Sequence, residues 1–241
     1  MYEISAISDS KKNIENYLFL FSRRFPREKK FSSQYLKWLY FDNPNGSVLG
    51  YDAWHEGKIV AHYASIPCLV QCYGQVEPSL LSINSTTHPD HQRKGLFLQL
   101  ANRTYEEASK QGFKIVFGVA NKFATPGRIK NLDFQLISPL SIAIGLSTLN
   151  LDWSKLKYKT DFSILWEKKS LQWRLGCPGK QLSTYSYKSY QSFFSEKVFG
   201  LFVPYSENFS AKSKIIYKHA KKLRPIGINL FVGLIPQGVI S

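Results

Sequence analysis

"HPDHQRKGLF", His88 to Phe97, is the stretch on which the reading of this chain turns. An apolar, β-branched run, "LLSINSTT", precedes it, and "LFLQLANRTYEEASKQG", with helical periodicity, follows it. The stretch is therefore a strand-to-helix junction carrying basic and polar residues and one glycine. The first N–H groups of a helix have no intrahelical partner, and with the helix dipole they form a ready anion site. A glycine there lets a bulky anion approach the backbone, and Arg93 and Lys94 add positive charge beside it. Phosphate or pyrophosphate suits such a turn. The junction is not a Walker loop, since GxxxxGK[ST] is missing, nor a dinucleotide fingerprint, since GxGxxG is missing.

Outward from the junction the pattern is that of an α/β chain on a mixed sheet. Ile14, Tyr17, Leu18 and Phe21 recur at helical spacing over 11–24, and "SSQYLKWLYF" forms a second helix with a serine cap, closed by "DNPNG". "VLGYDAWHEGKIVAHYASIPCLVQCYG" predicts two or three antiparallel strands turning at "HEGK" and "YGQ". The helix from Leu96 should end at Gly112, and "FKIVFGVAN" should follow as a buried strand. Thr125 is expected as N-cap and Pro126 as first residue of the next helix, after which "QLISPLSIAIG" closes the first half as a strand.

Composition narrows the classes. With 241 residues and 44% hydrophobic side chains the chain can bury a sizeable core, as one large domain or two small ones. It has no run of 18 apolar residues and no apolar stretch at its start, so the sequence predicts no membrane span and a cytoplasmic protein. Cys68, Cys72 and Cys177 are too few and scattered for a disulfide framework or a zinc site, and no metal is expected. A net charge of +15 favours anionic partners. The densest basic runs, Arg23 to Lys30 and Lys218 to Arg224, lie outside the junction. No nucleic-acid-binding pattern accompanies them.

"HPDHQRKGLFLQLA" resembles the signature Q/R-x-x-G-x-G/A of the GCN5-related N-acetyltransferases, with Gln92, Arg93, Lys94, Gly95, Leu96 and Phe97 at its positions. The resemblance extends over roughly residues 30 to 140, and "GVANKFATPGRIKNLDF" is similar to that family's N-x-x-A stretch with its "GF" ending. It implies a mixed sheet in which the strand before the loop splays from its neighbour, so that the pantetheine arm of coenzyme A lies between them. By the same resemblance Thr87, Gln92, Arg93, Lys94, Gly95, Leu96, Phe97, Asn121 and Phe123 are the expected residues binding acyl-CoA, the co-substrate. Three positions depart from the pattern. Phe97 stands where many members have glycine or alanine, Asp133 replaces the glycine of "GF", and Ile129 occupies the place of the tyrosine that serves as general acid. A thiolate leaves tolerably without an acid, its thiol pKa being about 8.5.

The second half echoes the first. "LKWLYFDNPNGSVLGY" (Leu36 to Tyr51) and "LQWRLGCPGKQLSTY" (Leu171 to Tyr185) share L-x-W, a proline and a tyrosine, with spacings that differ by one residue. Strand-like "SYQSFFSEKVFGLFVPY", helix-like "SAKSKIIYKHAKKLR" and apolar "GINLFVGLIP" follow, with no phosphate loop. The expectation is an acyl-CoA domain over 1–150 and a degenerate or partial copy over 151–241; an unrelated α/β extension is the other reading of the same pattern. The W…P…Y pattern and the "TTHPDHQRKGLF" form resemble acyltransferases of bacterial surface-polysaccharide clusters, which implies a nucleotide-linked amino sugar as acceptor. Lysines and an aromatic content of 15% fit a ligand with two phosphates and a base.

The resemblance implies direct attack of the free amine on the thioester, with the oxyanion held by a backbone N–H within Ser85 to His88. Asn84, Thr86 and His88 are the candidate catalytic residues, and His62, Tyr63 and Glu77 are further candidates for the base. Tyr40, Tyr63, Trp173 and Arg174 are the candidate substrate-binding residues. A non-catalytic acyl-CoA sensor, peptide or antibiotic amines as acceptors, and a monomer or homodimer all remain open at this level.

Overall fold

The computed structural model describes residues 1–26, 28, 30–120, 124–137, 140–146, 162–180, 182–187, 190–198, 201–208, 221–222 and 230–236. It divides into two compact units, 1–135 with 161–165, and 136–160 with 166–241.

The first unit is a mixed α/β layer structure. Its strands are β1 (Glu3–Ala6), β2 (Leu49–His55), β3 (Lys58–Cys72), β4 (Gln75–Thr87) and β5 (Ile115–Phe117), hydrogen-bonded in that order. Every pairing is antiparallel except β4 with β5, which is parallel. Two tight turns set the long hairpins. Glu56–Gly57 and Tyr73–Gly74 all have positive φ, the two-residue geometry that matches the strands' twist. β1 had no signature in the sequence, since four residues are too short for a period to show, and it is held by its register against β2.

Helix α1 (Lys11–Arg24) begins at Ser10, whose hydroxyl accepts from the Asn13 amide, and α2 (Ser33–Tyr40) at Ser32, which accepts from Tyr35. Their buried faces, Tyr17, Leu20 and Phe21 with Leu36 and Leu39, cover one side of the sheet around His62. Since successive strand residues face opposite sides, Tyr63 faces the other layer, where α3 (Leu96–Lys110) lays Leu96, Leu100, Ala101, Thr104 and Ala108 on the sheet. That helix stops in a left-handed Gly112, with Phe113 and Gly112 amides returning to Ala108 and Ser109.

Helix α4 (Thr125–Leu132) starts one residue earlier than its composition suggested: Ala124 occupies the cap and Pro126 the second position. It ends on Asp133 at φ 53°. That left-handed site is why glycine is favoured there; an aspartate holds it at a cost of roughly 1 kcal/mol.

β5 is short and half-buried rather than a long buried strand, because the chain leaves the sheet after Phe117. β7 (Phe162–Ile164) pairs with the end of β3.

The second unit contains α5 (Lys168–Leu175), β6 (Leu140–Leu146), β8 (Leu182–Tyr187), β9 (Tyr190–Val198), β10 (Leu201–Asn208), β11 (Lys221–Lys222) and β12 (Leu230–Pro236). β6 does not close the first sheet; it pairs along its length with β12 from near the chain's end. β10, β9 and β8 form an antiparallel ladder, with β11 parallel to β8. Within the segment expected to be helical, Lys221 and Lys222 are therefore strand residues, and the rest lies outside the described residues. Among the described residues no helix is long and apolar enough to cross a membrane.

Candidate functional site

β4 and β5 share only three paired positions, Ser79 with Ile115 to Leu81 with Phe117. Beyond them the strands part: Gly118 still lies close to the Ser82 carbonyl, and from Ile83 to Thr87 the edge of β4 pairs with no strand among the described residues on that side. The wedge opens into a cavity of about 800 Å³, within the range of small-molecule sites. Ser82 to Thr87 form one wall, Val119 and Ala120 the other, Gly95 to Leu98 close one end, and Arg128 with Asn131 approaches from α4.

A bulge shapes the β4 wall. Ile83 pairs with Ala64 and Thr86 with His62, so Asn84 and Ser85 together face the single residue Tyr63. Asn84 absorbs the extra residue at φ 49°. The His88 amide donates to the Val60 carbonyl. By alternation the Thr86 amide also turns to β3, Thr87 turns to the open edge, and the bulge leaves Asn84–Ser85 out of the ladder. Of the amides within Ser85 to His88, those of Ser85 and Thr87 are thus the ones not committed to β3. His88 itself is structural: its Nδ1 accepts from the Asp90 amide, capping the short 3-10 turn Pro89–His91.

At the closed end Gly95 caps α3 in the left-handed conformation, φ 74°, and no side chain satisfies the helix's first amides. Arg93 also has positive φ, 60°, which bends the loop so that consecutive N–H groups converge. Arg93 and Gly95 line the cavity; Lys94 is exposed and outside the lining, and Gln92 folds back to donate to the Thr87 carbonyl. Leu96 contributes backbone only, since its side chain is core, 2% exposed. Phe97 turns its ring edge-on to Tyr63. A large residue fits the place of a small one there because the ring leaves the loop for the layer beneath the sheet. His91, hydrogen-bonded through Nδ1 to Tyr2, has its pKa lowered by desolvation and then by Lys94, which favours the neutral ring beside the loop. Asn121 and Phe123 lie outside the described residues.

Two of the residues expected to touch substrate do not reach it. Tyr63 is fully buried, its hydroxyl shared with Ser82 and Tyr105. Tyr40 is also fully buried, its hydroxyl held between His62 Nε2 (3.0 Å) and Asn84 Nδ2 (3.0 Å). An aromatic residue on a two-sided strand or an amphipathic helix looks the same in sequence whether it faces a cleft or a core. Trp173 and Arg174 lie on α5 of the second unit, half-buried. Thr86 lines the cavity with Oγ1 buried and without a hydrogen-bond partner, a group suited to a bound ligand.

Arg128 was not singled out in the sequence. It lies against the faces of Tyr63, Phe97 and Phe134 at 6.0, 5.7 and 5.7 Å, and donates to Ser82 Oγ at 3.2 Å. Its Nε is buried and unpaired. On a helix whose other cation, Lys130, is exposed, only the tertiary contacts single it out. No group of three potential metal ligands occurs among the described residues.

Residues 7–130, 124 of the 241, match the family described as Acetyltransferase (GNAT) domain. No curated protein matches the sequence. Among solved structures, an aminoglycoside acetyltransferase from an uncultured soil metagenomic sample, in complex with trehalose, is 21% identical, covering 62% of this chain and 97% of that one, with a TM-score of 0.46. A protein from Clostridium acetobutylicum described as a predicted acetyltransferase, with acetyl-CoA, is 18% identical, covering 56% and 91%, TM-score 0.47. N-myristoyltransferase of Saccharomyces cerevisiae with bound myristoyl-CoA is 13% identical, covering 83% and 55%, TM-score 0.48.

Proposed function

The chain belongs to the GNAT acetyltransferase family and is an acyl-CoA-dependent N-acyltransferase, and we propose that its acceptor is the amine of a nucleotide-linked (dTDP- or UDP-) amino sugar used in surface-polysaccharide synthesis. The observation that carries the donor half is the wedge between β4 and β5 ending on an uncapped helix start. The pyrophosphate of coenzyme A fits the amides of Leu96 to Leu98 and the Arg93 charge, and the open edge of β4 offers backbone groups to the pantetheine amides. Ser85 and Thr87 present amides to the carbonyl oxygen as it gains charge. The expected cytoplasmic location belongs to the same reading, since sugar nucleotides and acyl-CoA are cytoplasmic metabolites.

The acceptor half rests on the resemblance of the motif and on the segment after α1. Arg24, Phe25, Glu28, Lys30 and Phe31 line the cavity there; Glu28 pairs with Lys30 at 3.5 Å, and Arg24 with the aromatic faces supports phosphates and a base as the ligand. The second unit is read as a degenerate copy of the first, supported by the matching helices α2 and α5, each with its L-x-W.

Thiol release from acetyl- and longer acyl-CoA donors, read with a thiol-reactive dye, tests the assignment with dTDP- and UDP-linked amino sugars, an aminoglycoside and a lysine peptide as acceptors. Release that depends on the sugar nucleotide is expected; release only with the aminoglycoside or peptide would overturn the acceptor assignment. Cys68 will not contribute background at pH 8, because burial pushes its thiol up to about 12 and leaves almost no thiolate. Arg128→Met keeps the contact with the rings and removes the charge. It should weaken acyl-CoA binding about tenfold, the worth of a hydrogen bond to a charged group, as measured by calorimetry without acceptor.

A further inference from the structure

From a hydrogen-bond chain that runs from the core to the cavity wall, we infer that Asp52, His62 and Tyr40 are positioning residues that lock the Asn84 amide with its oxygen toward the acceptor amine. Asn84 Nδ2 donates to Tyr40 Oη at 3.0 Å, Tyr40 meets His62 Nε2 at 3.0 Å, and His62 Nδ1 meets Asp52 Oδ1 at 2.7 Å. Tyr17 donates to the other carboxylate oxygen at 2.8 Å. Tyr17, Tyr40, His62 and Asp52 are at most 1% exposed; Asn84 alone is half-buried and lines the cavity.

The polarity of this chain is determined by its ends. Asp52 accepts at both oxygens, so the Nδ1 side of the His62 ring is committed to the carboxylate and Nε2 is the ring atom that faces Tyr40. Among the described residues Tyr40 Oη meets only His62 Nε2 and the Asn84 amide, and with its proton toward the ring its oxygen takes the Asn84 N–H. Each member then has one orientation, and the Asn84 amide has one too. Its nitrogen is committed to Tyr40, while Oδ1 has no partner among the described residues. Burial raises the Tyr40 pKa well above its ordinary value, which keeps the phenol neutral within the chain. The chain fixes an acceptor atom.

The bulge supplies the reason for the placement. Asn84 sits at positive φ, immediately before the Ser85 amide that the ladder leaves open. Oδ1 accepting one N–H of a neutral amine aims the nitrogen lone pair at a carbonyl held by Ser85 or Thr87. This rests on the acceptor being an amine, as proposed above. A misdirected nucleophile costs on the order of 10²-fold in rate.

The test combines kinetics with acetyl-CoA and the dTDP- and UDP-amino sugars with exchange of side-chain amides by NMR. Asn84→Gly suits the positive φ and removes the amide; it should lower kcat on the order of 10²-fold with unchanged acetyl-CoA affinity. Tyr40→Phe should lower kcat about tenfold, also with unchanged acetyl-CoA affinity, and speed exchange of the Asn84 amide. The double variant should be no slower than Asn84→Gly alone. Effects that multiply, or a Tyr40→Phe enzyme with wild-type kcat, would overturn the lock. If no sugar nucleotide is turned over, the acceptor assignment fails separately. The lock is then judged by the wild-type Asn84 amide: slow exchange supports it and fast exchange sinks it.

Discussion

Gly95→Asp should abolish useful acyl-CoA binding, on the order of 10²-fold in affinity, while leaving the protein folded. The two effects have separate causes. A Cβ at Gly95 meets nothing within 4 Å, so the substitution brings no clash. The residue sits at φ 74°, where a side chain costs roughly 1 kcal/mol, and aspartate tolerates that region better than most. Against this cost, a carboxylate beside the first amides of α3 favours the helix by about 0.5–1 kcal/mol. Stability should therefore change by a few degrees in Tm at most. The same carboxylate stands where the proposed function puts the pyrophosphate, and like charges at one site cost several kcal/mol. Calorimetry with acetyl-CoA alongside thermal unfolding checks both arms. Gly95→Ala, which carries the strain without the charge, should lose much less affinity. Equal losses in the two variants would place the phosphate elsewhere.

Asp52→Ala should cost about 3–5 kcal/mol of stability, a large share of the roughly 5–15 kcal/mol of a typical domain. Asp52 is fully buried, and its two oxygens take the His62 ring N–H and the Tyr17 hydroxyl. Truncation leaves the buried His62 ring N–H without an acceptor, a loss of roughly 1–3 kcal/mol, leaves the Tyr17 hydroxyl only its long 3.4 Å bond to the Ser8 carbonyl, and opens a small void. Asp52→Asn keeps the volume and one accepting oxygen, so about half of the loss is expected. The measurement is the urea midpoint of unfolding at constant slope. An unchanged midpoint for Asp52→Ala would mean that the chain from Tyr17 to Asn84 does not form in solution.

The strand-to-helix junction at Gly95 was legible because everything it needs is local. A helix start exposes its amides whatever surrounds it, so a strand pattern, a basic loop, a glycine and a helix pattern in succession suffice. The hairpin turns at Glu56–Gly57 and Tyr73–Gly74 and the glycine stop of α3 were readable for the same reason, as each states a backbone requirement in one or two residues. β1 and the pairing of β6 with β12 were not, because register against a distant strand leaves no local trace.

What the sequence by itself determined is the α/β order of the first unit and the strand-to-helix junction at Gly95, both consequences of period and backbone geometry along a contiguous stretch. Only the tertiary structure decided which side chains face the cavity. Tyr40 and Tyr63, equally plausible as ligands in sequence, are sealed in the core, while Arg128 comes to lie against Phe134 nearby and against Tyr63 and Phe97 from distant segments. Asp52, His62, Tyr40 and Asn84 become one chain because the β2–β3 and β3–β4 registers and the packing of α2 bring them within hydrogen-bond distance. Hydrogen bonds between residues 10 to 44 positions apart depend on register and packing, and neither is written in the neighbours of any one residue.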